Sequence, residues 1–186
     1  MRTSSSRKDP ARRVAELGIL LVLAMVFSYL EALFPIPLPL PGIKLGFANI
    51  AVILCACYCG LPEALLLNLL RVVLSAILFG NLSGLLFSLS GAFFSSLTLI
   101  FLVLSFRGSV SVLGISVACA ASHNLGQILC ASFLLRGSSW INPSVFSYIP
   151  VLLLASLITG TITGILLKLL FAYLEKTGKE LRYSLL

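Results

Sequence analysis

Apolar residues run through this 186-residue chain in six long stretches, and polar residues gather in the short breaks between them. The stretches are continuous. They do not alternate as the ~10-residue strands of a membrane barrel would. Each is near the ~20 residues that a helix needs to cross a ~30 Å hydrocarbon core. The pattern predicts an all-α, polytopic membrane protein: a six-transmembrane-helix bundle with helices over 13–34, 44–59, 63–79, 82–105, 110–135 and 145–173. The breaks carry helix-stopping chemistry. Residues 35–42 hold four prolines, which remove donors and clash with a preceding turn, so this segment reads as an extended loop at the membrane surface. Gly60-Leu-Pro62, Gly80-Asn81 and Arg107-Gly108-Ser109 read as turns. Residues 136–143 read as a loop with Trp140 at interface height.

Composition agrees. Hydrophobic residues make up 59% and charged residues 10% of the chain, against about 25% charged in a soluble domain. The net charge of +7 therefore reads as a topological signal and not as nucleic-acid binding. Six spans put both termini on one side. That side carries nine Lys and Arg: five from Arg2 to Arg13, then Arg107, Lys176, Lys179 and Arg182. The other side carries Lys44 and Arg136. The bias predicts cytoplasmic termini and an outside Pro-rich loop. Residues 1–12 form a disordered basic head, 13–174 the transmembrane domain and 175–186 a charged tail. The first apolar run lacks a small-residue cleavage site and reads as a retained helix. Cys55, Cys57 and Cys59 are spaced to scatter around a helix, and no metal or other cofactor is expected.

Few polar residues remain inside the apolar runs, and these carry the candidate chemistry. Arg71 sits midway along the third helix, on one face with Asn68 and Ser75. A charge at that depth costs at least about 2.5 kcal/mol and demands a partner. Glu31 is the nearest candidate. Either the pair locks two helices, or Arg71 binds an anion in a cavity. His123, Asn124 and Gln127 form a polar stripe on the fifth helix. They read as cavity lining or, more plainly, as inter-helix hydrogen bonding at roughly 0.6 kcal/mol per contact. Lys44 and Asn49 add polar groups near the outer rim, as does Asn81, which could also simply end a helix. Lys44, Arg71 and a protonated His123, against Glu31 alone, predict an anionic ligand. Small residues at Ser88, Gly91, Ala92 and Ser95, and at Gly160 and Gly164, predict close helix packing. Ala11, Ala15 and Gly18 make a small-residue face that could dock a partner helix.

Glu31, PGIKLGFAN at 41–49, Arg71, FGN at 79–81, SLSG at 88–91 and HNLGQ at 123–127 resemble a bacterial membrane family described as heptaprenyl diphosphate synthase component I, also called the Gx transporter family. The resemblance covers about 13–173. That family is similar to the substrate-binding S components of energy-coupling factor (ECF) transporters. It implies a six-helix subunit of the bacterial cytoplasmic membrane that takes up a small ligand from outside, capped by the first external loop. The implied partners are the lipid bilayer, the ligand, and a coupling subunit with its ATPases that meets Ala11 and Ala15. The alternative is a non-catalytic membrane subunit beside a prenyl synthase catalytic subunit, in polyprenyl diphosphate or quinone synthesis, or in membrane electron transfer. Catalysis by this chain itself is not expected. Asp9 is its only aspartate, and a prenyl diphosphate site needs clustered carboxylates for Mg²⁺.

Overall fold

A computed structural model describes residues 10–33, 46–79, 82–106, 109–135 and 142–176. Among them every regular element is helical: α1 (Pro10–Leu33), α2 (Asn49–Tyr58), α3 (Leu61–Leu78), α4 (Leu82–Phe106), α5 (Val112–Leu134) and α6 (Ile149–Lys176). The predicted helical membrane bundle is present, with six helices in the expected order. Five are long and apolar enough to cross a membrane, and α2 is a shorter apolar helix. The predicted Pro-rich loop lies outside the described residues, as do residues 1–9 of the predicted basic head and 177–186 of the tail; Pro10, Ala11 and Arg12 instead open α1, and Glu175 and Lys176 close α6.

Two boundaries differ from the sequence reading for local reasons. Helix α2 starts at Asn49 and not near residue 44, because Gly46 holds a left-handed φ of 91°. That conformation suits glycine and interrupts helical propagation. The sixth helix is preceded by a 3-10 segment, Pro143–Tyr148. Pro150 has no N–H to close an α-helical turn, and the backbone N–H of Ile149 instead bonds Phe146 O one residue nearer.

The direction of each helix follows from its contacts. Arg13 pairs with Glu63, Met25 Sδ accepts from Ser75 Oγ at 3.5 Å, and Tyr29 packs on Phe79 with centroids 5.3 Å apart. The partners are fifty positions apart in every case, so α1 and α3 run parallel. The chain between them must return across the bundle. Helix α2 makes part of that return: Phe47 beside its start touches Glu31 near the end of α1, and Tyr58 at its end packs on Phe171 near the end of α6. Ten residues rise only about 15 Å, half the hydrocarbon core. Helix α2 accordingly begins beside His123, the middle residue of α5, and not at the bundle's edge. Helices α3 to α6 then alternate, so Pro10 and Lys176 stand at the same end.

Helix α5 is the central element, packed on α4 and α6 along glycine faces. A Cβ at Gly126 would fall 2.7 Å from Ser90 O, and one at Gly160 would fall 2.6 Å from Val117 Cα. Backbones approach this closely only where no side chain intervenes. At the margin, α1 leaves Val14 69%, Ile19 70% and Val22 64% exposed. A helix so apolar and so open belongs in lipid. The bundle order gives a direct expectation. Cysteines introduced at Ser109, in the α4–α5 turn, and at Ser144, before α6, both exposed, should react with a membrane-impermeant maleimide from opposite sides. Labelling of both from one side would refute a membrane crossing by α5.

Candidate functional site

The start of α2 lacks a side-chain cap of its own, since Ala48 occupies the N-cap position. The first N–H groups of any helix need acceptors, and its positive end favours an anion. Glu31 places an acceptor from another helix just ahead of that start: its Oε1 accepts the backbone N–H of Phe47. The turn is closed by Asn49 N–H to Gly46 O at 3.0 Å and Ile50 N–H to Phe47 O at 3.1 Å. Glu31 is buried at 7% exposure, so a charge deep in the bundle holds the short helix in place.

Beside this turn lies His123. Its ring occupies the space that a side chain at Gly91 would need, with ring atoms 2.7–2.9 Å from the Cβ position. On its other side a Cβ at Gly46 would lie 3.7 Å from His123 Cδ2. Two glycines, one on α4 and one before α2, thus make the slot for the imidazole. Gln127, one turn along α5, places Nε2 3.1 Å from His123 Nε2. Both side chains are almost wholly buried.

Arg71 is turned into the bundle at 3% exposure. Its Nε and Nη2 donate to Asn68 Oδ1 at 3.2 and 2.8 Å, and its Nη1 donates to Ser28 Oγ at 3.4 Å. Asn68 in turn donates through Nδ2 to Ser96 Oγ at 2.9 Å and Ala92 O at 3.3 Å. One network therefore ties α1, α3 and α4. Among the described residues Arg71 is a buried cation and Glu31 a buried carboxylate, one charge of each sign. The positive excess expected from the sequence thus rests on Lys44 and on protonation of His123.

The polar stripe predicted on α5 divides. His123 and Gln127 lie together, whereas Asn124 turns to α6 and donates to Ser156 Oγ at 2.8 Å and Leu152 O at 3.3 Å. Asn49 is buried at 5% exposure, and among the described residues neither of its side-chain polar atoms has a hydrogen-bond partner. Lys44 and Asn81 lie outside the described residues. Ala11, Ala15 and Gly18 are exposed on α1, with nothing within 4 Å of a Cβ at Gly18. Arg12 and Arg13 beside them are engaged by Glu16 and Glu63. Sequence reasoning missed Ser28 and Ser96. A lone serine in an apolar run carries no signal beyond small size, and only its level opposite Arg71 or Asn68 gives it a role.

Among the described residues no group of three or more His, Cys, Asp or Glu side chains could hold a metal ion. No curated protein and no solved structure matches the chain. The family described as "Heptaprenyl diphosphate synthase component I" matches residues 20–170, a stretch that contains Glu31, the α2 start, Arg71 and the His123–Gln127 pair. With four-fifths of its length matched, the chain belongs to the heptaprenyl diphosphate synthase component I family.

Proposed function

We propose that this membrane protein is the substrate-binding subunit of an uptake system and holds a small polar ligand where the start of α2 meets α1 and α5. One observation carries the reading. A short helix begins beside the middle of α5, with buried Glu31, Asn49 and His123 at that start and Gln127 bonded to His123, while a second buried polar network joins Asn68 and Arg71 on α3. A bundle that needed only to span lipid would fill this level with apolar side chains. Ionisable groups within a membrane mark ligand or ion paths by default. Discontinuous spans with a helix end in the bilayer interior are a recurring way to build such sites.

On this reading the ligand enters from the side at which α1 ends, which the basic residues at the opposite end assign to the outside. An anionic preference would turn on Lys44. The exposed Ala11, Ala15 and Gly18 face would take a helix of a coupling subunit. Native mass spectrometry of the full chain, released gently from detergent, should find one small molecule bound per chain. The double variant His123→Leu, Gln127→Leu should lose it. A chain that is empty in every preparation, and that instead retains a prenyl synthase subunit, would reject uptake in favour of a scaffolding role.

A further inference from the structure

We infer that the ligand presents a neutral amide-type edge, an N–H donor beside a C=O acceptor, and that the carboxamide of Asn49 reads this edge. The inference rests on the binding role proposed above and adds the chemical class.

The buried amides of this bundle are otherwise put to use. Asn68 accepts twice and donates twice, Asn124 donates to α6, and Gln127 meets His123. Asn49 differs in that both Nδ2 and Oδ1 are buried without a partner among the described residues. Leaving both ends of a carboxamide unmade is costly, and native proteins rarely do so without a reason. Its position supplies the reason. Asn49 is the first residue of α2, and its Nδ2 would lie only 3.3 Å from a Cβ at Gly46, while His123 Cδ2 would lie 3.7 Å from that same Cβ. Glycine at 46 thus keeps clear the space between the amide and the imidazole.

Charge sets the class. The turn that leads into α2 already has the carboxylate of Glu31 on the Phe47 N–H. A second anion at this point would face Glu31, and a donor-only cation would leave Asn49 Nδ2 without an acceptor, so the ligand group that meets Asn49 is uncharged, whatever the ligand carries elsewhere. A carboxamide offers one donor and one acceptor side by side. Its complement is an acceptor beside a donor, as in a primary amide, a lactam, a cyclic ureide or a pyrimidinone.

The test uses the full chain in detergent and two sets of probes, with binding read by saturation-transfer NMR. Uracil and nicotinamide carry the edge. 1,3-Dimethyluracil and N,N-diethylnicotinamide lack its donor, and nicotinate replaces the amide by a charge. Uracil or nicotinamide should bind at least about tenfold more tightly than the blocked and charged probes, as expected for loss of one or two hydrogen bonds. Asn49→Leu should erase that difference while the ligand-free protein unfolds at the same or a higher temperature. Equal or tighter binding of the blocked or charged probes would overturn the amide edge and leave the uptake reading standing. A lower unfolding temperature for Asn49→Leu would show that the amide serves the fold, and would also overturn it. If no probe binds, the amide edge falls, and a chain also empty by native mass spectrometry removes the uptake reading with it.

Discussion

Arg71→Leu should destabilise the bundle by about 3–5 kcal/mol, the range for removing one partner of a buried charged network. The guanidinium makes three hydrogen bonds across two helices, to Asn68 Oδ1 through Nε and Nη2 and to Ser28 through Nη1. Leucine leaves Asn68 Oδ1 without either donor and removes the buried cation. Arg71→Lys keeps the charge but replaces a planar fork by a single ammonium that cannot reproduce this geometry, so its loss should be intermediate. The check is chemical unfolding in mixed micelles, with the double variant Arg71→Leu, Asn68→Leu completing a cycle. A coupling energy above about 1 kcal/mol is expected for side chains in one network. Additive losses would mean that Arg71 and Asn68 act separately.

The same residue shows how far the sequence could be read. Asn68, Arg71 and Ser75 share a face by helical period, and the structure places all three inside. The five long helices were legible because lipid imposes a continuous apolar run on each of them. Helix α2 was legible as an apolar segment but not in length. Its start depends on the φ of Gly46 and on a carboxylate from α1, and neither leaves a mark in the residues of α2. Glu31 was expected to serve Arg71. Its hydrogen-bond partner at the α2 start is a backbone N–H, which every residue but proline carries and which no pattern reveals. The glycines were legible as small-residue faces. The period alone did not distinguish Gly160, which admits a neighbouring backbone, from Gly91, which admits the imidazole of His123.

That distinction sets the second large effect. Gly160→Leu should cost at least about 2 kcal/mol, toward the upper part of the ~1–3 kcal/mol seen when well-packed interiors are overfilled. The Cβ alone would sit 2.6 Å from Val117 Cα and 3.1 Å from Val117 N. These are backbone atoms of α5 and cannot turn aside as a side chain can. Helices α5 and α6 would have to separate, and one turn further on Gly164 meets Leu113 Cα at 2.8 Å in the same way. Separation would also stretch the buried Ser116–Thr163 and Asn124–Ser156 bonds, so the loss spreads along the interface. Gly18→Ala is the control. Nothing lies within 4 Å of its Cβ, and alanine favours helix over glycine by up to about 1 kcal/mol, so that variant should be neutral or slightly more stable. Unfolding measured side by side decides the matter. Equal behaviour of the two variants would show that the α5–α6 contact is not the tight backbone approach described here.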